Sequence, residues 1–158
     1  MARATYESWA SSPAVRLVMR ANRKRDTKPE IALRSAIHRA GLRFRITQRV
    51  DVGAPVVVDI LFRRAKVAVF VDGCYWHGCP LHGTSPRTNP GYWIPKIARN
   101  RERDIRIDDL LTRAGWLPIR VWEHEEFDQV VPKVVSAVRR RAHLSVGEGE
   151  PRRPVKRS

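Results

Sequence analysis

Long apolar runs are absent from this 158-residue chain. No stretch approaches the roughly 20 consecutive apolar residues that span a bilayer, and the N-terminal segment carries no apolar signal-peptide core. A cytoplasmic protein without a membrane partner is expected. Cysteine is scarce too: Cys74 and Cys79 are the only two, which excludes the multi-bridge framework of small secreted domains. Two thiols so close together in a reducing compartment point to metal binding or catalysis. Acidic residues are the third shortage, with 16 Asp and Glu against 31 Lys and Arg and a formal net charge of +15. Such a field suits a polyanion, most often nucleic acid. Part of the excess lies in the run 151–158, but 16–28 and 99–106 are basic as well, so a charged tail alone does not account for it. There is no internal repeat, and the length is that of one domain.

Apolar periodicity is missing over 1–14 and 144–158. A flexible N-terminal arm and a basic disordered tail are therefore expected to flank a folded domain over 15–143. Within that domain Thr27-Lys28-Pro29-Glu30 has the form of a capping box with proline in the first turn. Leu33, Ala36, Ile37 and Ala40 follow at helical spacing, which predicts a helix over about 28–40. Residues 42–46 read as a short strand, and the β-branched runs 56–62 and 66–72 as a hairpin turning at 63–65. After a loop over 73–95, Ile107, Leu110, Leu111 and Ala114 mark one face of a second helix that stops at Gly115. A strand over 117–122 and a helix over 130–142 close the domain. This order predicts an α/β fold, a mixed β-sheet flanked by helices.

Asp59 stands inside an apolar strand, where an ionised carboxylate is expensive to bury without a cation or a metal. If the hairpin closes about Arg64-Ala65, residue 59 lies opposite Phe70, and Asp72 becomes its diagonal neighbour on the same face. The two acids would then share one site; a salt bridge from Asp59 to an arginine is the plainer alternative. The next block, Cys74-Tyr75-Trp76-His77-Gly78-Cys79-Pro80-Leu81-His82, has C-x4-C-x2-H spacing, and His124 follows the last strand. Thiolate and imidazole donors suit zinc, and Cys74, Cys79, His82 and His124 would close a tetrahedral structural site. His77 competes with His82 for the third place, and the bland alternative is a pair of buried free thiols with surface histidines. Left outside the zinc, His77 adjoins the acids and can move a proton. Tyr75, Trp76, Tyr92 and Trp93 lie among Arg87, Lys96, Arg99 and Arg101. That mixture suits stacking on bases with the backbone held electrostatically, core packing being the rival use.

Several blocks in order resemble the very short patch repair (Vsr) DNA mismatch endonucleases over about residues 15–140. They are Met19-Arg20-Ala21, Arg25-Asp26-Thr27-Lys28-Pro29-Glu30, Asp59, the block Asp72-Gly73 through His82, Trp93 with Lys96-Ile97, Asn100-Arg101-Glu102-Arg103-Asp104, Gly115-Trp116 and Val121-Trp122-Glu123-His124. The resemblance implies a restriction-endonuclease-like core that nicks double-stranded DNA beside a thymine–guanine mismatch left by deamination of 5-methylcytosine. It further implies a functional association with a cytosine-5 methyltransferase, with mismatch-repair proteins as further partners, in the cytoplasm at the nucleoid. On this footing Asp59 and the backbone carbonyl of Val71 hold one or two Mg²⁺ ions; Asp72, by its expected place near Asp59 rather than by the resemblance, is a further candidate ligand. His77 is the catalytic histidine, Glu30 lies near the active site, and Cys74, Cys79, His82 and His124 hold structural Zn²⁺. Tyr75, Trp76 and Trp93 wedge into the duplex, Met19 inserts from the opposite side, and Lys96 and Asn100 complete the DNA-binding set.

Three positions temper the resemblance. Asp72 replaces a second histidine, which increases dependence on a bound cation and speaks against a two-histidine mechanism. His124 replaces a cysteine, a conservative exchange at zinc. Glu30 also fits as nothing more than the acidic partner of a capping box. The alternative activities are a restriction-type or branched-DNA nuclease on the same core, and a zinc-containing DNA-binding module without catalysis. Asp59 argues against the latter.

Overall fold

The fold is described over residues 26–82 and 89–147 of a computed structural model, with side chains to residue 144. In chain order the elements are α1 (Lys28–Arg39), β1 (Arg45–Asp51), β2 (Pro55–Phe62), β3 (Val67–Asp72), α2 (Pro90–Arg113), β4 (Leu117–Trp122) and α3 (Phe127–Gly147). The four strands form one mixed sheet in the order β1-β2-β3-β4. The first three are antiparallel neighbours, and β4 runs parallel to β3. A parallel pair needs a crossover rather than a tight turn, and α2 supplies it.

Helices cover both faces, because both faces of β2 and β3 are apolar. On one side Leu33 and Ile37 of α1 and Val130, Val134 and Val138 of α3 pack on Ile60, Phe62, Val67, Val69 and Val121. On the other, Leu111 of α2 packs with Val50, Val56, Val58, Leu61, Ala68 and Phe70. Burial of each such side chain contributes roughly 1.5–3 kcal/mol. Arg141 of α3 donates from Nε to the carbonyl of Ala65 at 2.9 Å and from Nη2 to that of Gly115, pinning the β2–β3 turn and the end of α2 together.

The hairpin register is the expected one. Ile60 pairs with Val69, Leu61 with Ala68 and Phe62 with Val67, which places Asp59 across from Phe70. Three elements differ most in extent from expectation. The first strand runs over Arg45–Asp51 rather than 42–46, because its pairing with β2 is fixed from the turn at 52–54, while Leu42 and Phe44 pack on the core ahead of it. Its polar composition, RITQRVD, hid it. Helix α2 starts at Pro90, well inside the expected loop, and continues through Pro95. Pro90 is tolerated in the first turn, where a backbone N–H has no helical partner. Helix α3 reaches Gly147, so its last turn overlaps the start of the expected tail. The rest of that tail, the arm over 1–14 and Met19 lie outside the described residues.

The alternation of β2 is broken at Asp59. Val56 and Val58 pack with the α2 layer, whereas Ile60 and Phe62 pack with the α1/α3 layer. Strand β2 thus changes the face it presents across Asp59. The β1–β2 ladder skips the same place: Ile46 pairs with Ile60 and Gln48 with Val58, and Thr47 between them has φ +48°.

Candidate active site and metal cluster

Asp59 lies where the pairing of β2 with β3 ends, and its Oδ2 accepts the N–H of Val71 at 2.9 Å. The carboxylate replaces a ladder bond that the diverging strands no longer make. Burial raises its pKa; the Val71 N–H opposes this, nearby Glu30 and Asp72 add to it, and Arg34 lowers it again. Among the described residues Asp59 has no ion pair. The plain alternative, a salt bridge to arginine, is therefore absent there.

Glu30, 5 % exposed, approaches from α1. Its carboxylate accepts from the Asp26 N–H at 3.0 Å, the Thr27 hydroxyl at 3.0 Å and Arg34 Nη2 at 2.9 Å. The capping box expected at the start of the helix does not form: the Thr27 side chain caps no helix amide but donates to Glu30, and Glu30 reaches back to the Asp26 amide instead of that of Thr27. Arg34, 9 % exposed, balances its charge.

Asp72 does not turn to Asp59. Both of its oxygens accept from Arg120 Nη1 at 3.0 Å, because β4 brings Arg120 alongside Phe70 and Trp122 alongside Asp72. The face shared by Asp59 and Asp72 in a regular hairpin is lost where β2 changes sides. Asp72 stands with His77 and Asp104 instead, their donor atoms within 4.8 Å of one another. His77 Nδ1 is 2.5 Å from Asp104 Oδ2 and 3.6 Å from Asp72 Oδ1. A carboxylate against Nδ1 calls for a proton on that nitrogen, which leaves Nε2 of the neutral ring as the acceptor. Asp104, 8 % exposed, went unrecognised as a site residue. The signal was its i, i+4 spacing with Asp108 on the sheet-facing side of α2.

The second cluster comprises Cys74, Cys79, His82 and His124, whose donor atoms also lie within 4.8 Å of one another. Cys74 Sγ is 3.0 Å from His124 Nδ1, and Cys79 Sγ is 3.8 Å from His124 Nδ1 and 3.9 Å from His82 Nδ1. Bond lengths at a tetrahedral zinc imply ligand-to-ligand separations of roughly 3.3–3.8 Å, so the set fits such an ion with small adjustment. His82 rather than His77 stands in this cluster. Neither cysteine is in a disulfide. Burial, the adjacent Cys79 and Glu123 push the Cys74 thiol up to about 11, and a bound cation has to displace that proton. Glu123 accepts the Cys74 N–H at 2.7 Å, tying the loop to the end of β4. Gly78 is required here: its φ is +62°, and a Cβ would come within 3.0 Å of Ile97 on α2.

The aromatic residues close on each other. Tyr75–Trp76, Tyr75–Trp93, Trp76–Trp93 and Tyr92–Trp93 meet edge to face with centroids 5.1–5.6 Å apart. Trp93 is only 6 % exposed, so core packing claims it in this state. Lys96 Nζ lies 5.2 Å from the Tyr92 and Trp93 centroids and 5.9 Å from that of Trp76, while Asn100 donates to the Trp76 carbonyl at 2.9 Å. Both are thus engaged in holding the cluster. No helix is long and apolar enough to cross a membrane among the described residues.

The fold and its clusters define a basic α/β protein with a Cys/His set fit for a metal ion and a separate acid–histidine centre. A model of the DNA mismatch endonuclease Vsr family matches residues 11–82. The chain is 50% identical over 127 residues to the type II nicking enzyme V.NaeI of Lentzea aerocolonigenes, covering 79% of this chain and 76% of that protein. It is 40% identical over 115 residues to the type II nicking enzyme V.XorIIP of Xanthomonas oryzae pv. oryzae, covering 72% and 82% respectively. With the DNA mismatch endonuclease Vsr of Escherichia coli K12 it shares 36% identity over 107 residues, 66% of each chain. This chain belongs to the Vsr family of DNA endonucleases.

Two outcomes are expected from the geometry. Elemental analysis of the purified protein should find one tightly held metal ion per chain, and Cys79→Ala should lose it together with several kcal/mol of stability. Asp59→Asn keeps the acceptor for Val71 but removes a charge whose raised pKa makes ionisation costly. That cost is absent below the ordinary carboxylate range and grows as pH rises through the raised value. Without added divalent cation the variant should melt about 2–5 °C above the parent in mildly alkaline buffer, the gain vanishing in acid.

Proposed function

We propose that this endonuclease nicks one strand of double-stranded DNA beside a thymine–guanine mismatch produced by deamination of 5-methylcytosine, using Mg²⁺ on a restriction-endonuclease-like core. The observation that carries the metal-dependent part is the state of Asp59: a desolvated carboxylate near two further acids, hydrogen-bonded to Val71 and without an ion pair among the described residues. Such a group is completed by a cation. Asp59 and the Val71 carbonyl would hold one or two Mg²⁺ ions, which when bound supply polarisation of the scissile phosphodiester and stabilisation of the leaving oxygen.

The protein's own part is positional. His77 gives its Nδ1 proton to Asp104 in a hydrogen bond and takes a proton from the attacking water at Nε2. Glu30 keeps its place beside Asp59 through Arg34 and the start of α1. Asp72 takes part as the counter-ion of Arg120 rather than as a metal ligand. Zn²⁺ on Cys74, Cys79, His82 and His124 would stay out of the chemistry and fix the loop that carries His77, Tyr75 and Trp76.

The mismatch part rests on the relatives and on the aromatic cluster. Tyr75, Trp76 and Trp93, released from one another, offer rings to wedge between base pairs, with unstacking compensated by new contacts to bent DNA. Met19, Lys96 and Asn100 complete the contacts to the duplex. A cytosine-5 methyltransferase, mismatch-repair proteins and a place at the nucleoid belong to the same reading. The direct test sets matched, thymine–guanine mismatched and branched duplexes side by side with Mg²⁺ supplied or withheld. Nicking confined to the mismatched duplex, dependent on Mg²⁺ and reduced by at least about 100-fold in Asp59→Asn, is the expected result. Preference for matched or branched DNA overturns the mismatch assignment, and an active Asp59→Asn overturns the metal assignment.

A further inference from the structure

Arg120 is the one charged residue in the strand LPIRVW, and every nitrogen of its guanidinium is used. Nη1 donates to both oxygens of Asp72 at 3.0 Å, Nε to Asp108 Oδ2 at 2.9 Å, and Nη2 to the Asp104 carbonyl at 3.2 Å. Nη2 also lies 3.6 Å from Asp104 Oδ1. The Phe70 ring, with its centroid 4.8 Å from the guanidinium carbon, fixes the remaining face. A lysine at this place would keep the charge but not the fork that reaches three acids at once. Burial works against the charge of Arg120, yet Asp108 and Asp72 outweigh it and raise its pKa further.

What this guanidinium decides is which acid His77 serves. Nδ1 has one proton to give and two carboxylates in reach, Asp104 at 2.5 Å and Asp72 at 3.6 Å. Asp72 is 4 % exposed and, apart from His77, Arg120 is its only cation among the described residues. Without Arg120 a buried, unpaired carboxylate would compete for the Nδ1 proton and draw the ring away from Asp104. Arg103 also touches Asp104, at 3.3 Å, but its side chain is 51 % exposed, which makes it a weak substitute.

We propose that Arg120 is a positioning residue of the reaction centre: by taking up Asp72 and bracing Asp104 and Asp108, it commits the Nδ1 proton of His77 to Asp104 and so sets where Nε2 points. The proposal rests on the reading of His77 as the residue that handles the proton in strand cleavage. It also assigns Asp72 to charge balance and not to metal binding.

The test compares Arg120→Met, Arg120→Lys, Asp72→Asn and the double variant Arg120→Met/Asp72→Asn on the duplex that the parent nicks. Single-turnover rates at saturating Mg²⁺ are measured beside DNA affinity by fluorescence anisotropy. Arg120→Met should slow the nicking step on the order of 10- to 100-fold with Kd unchanged within about threefold, Arg120→Lys should fall between it and the parent, and the double variant should recover most of the loss. A double variant no faster than Arg120→Met overturns the proposal, as does an Asp72→Asn protein that needs more Mg²⁺ for its half-maximal rate. If Arg120→Met does not fold, the lysine and double variants decide. NMR of the His77 ring gives a readout without turnover: the Nδ1 proton, held against Asp104 at 2.5 Å, should resonate far downfield in the parent and move upfield in the Arg120 variants as the ring leaves Asp104. A parent that nicks no duplex refutes the reading of the reaction, while the NMR result still judges Arg120. An unchanged Nδ1 proton resonance in the Arg120 variants refutes the proposal.

Discussion

The parallel pairing of β3 with β4 is the constraint on which both clusters depend. Its register sets Asp72 beside Trp122 at the two strand ends, and two residues beyond each end stands a metal-competent side chain, Cys74 after β3 and His124 after β4. Two residues back, Phe70 lies beside Arg120, which places the guanidinium over the ring and within reach of Asp72. Residues some 50 positions apart in the chain meet without further adjustment. A shift of one residue would turn every one of these side chains to the other face of the sheet. The hydrogen bonds from Glu123 N to the Asp72 carbonyl and from Cys74 N to Glu123 lock the pairing beyond the strands themselves.

The acidic groups divide according to the layer that covers them. Asp72, Asp104 and Asp108 lie toward α2 and pair with Arg120 and His77, although Asp108 Oδ1 stays buried without a hydrogen bond. Glu30 lies toward α1 and is satisfied by Arg34. Asp59 sits between the layers, where β2 changes sides, and of these five acids it alone has only a backbone amide as partner. Concentrating an unpaired carboxylate there lowers stability, and a protein that acts on a phosphodiester gains from it a place poised for a cation. The Cys/His cluster holds the adjoining loop, so folding and the orientation of His77 share one scaffold.

Much of this was legible in the sequence where the signal is local. The β2–β3 hairpin followed from two β-branched runs of matched length, and the Cys/His cluster from donor chemistry and spacing, which left His77 competing with His82 for its third place. The pairing of Asp59 with Asp72 was not, because it assumed a regular alternation that β2 breaks at Asp59 opposite Thr47. Asp104 and Arg120 were hidden for another reason. A charged residue in a helix or strand of a basic protein looks like solvated surface until the sheet register brings its partners together. Most of strand β1 and the opening of α2 over 90–95 escaped notice because polar side chains in the one, and Pro90, Gly91 and Pro95 in the other, weaken the periodicity that marks such elements.

The central claim is that two metal functions reside on different residues a short distance apart. Anomalous diffraction from crystals grown with Mn²⁺ in place of Mg²⁺ tests it most directly. The account predicts a zinc signal enclosed by Cys74, Cys79, His82 and His124 and a separate manganese signal at the Asp59 carboxylate and the Val71 carbonyl, with Asp72 still on Arg120. A manganese ion seated among Asp72, His77 and Asp104, with none at Asp59, would contradict it.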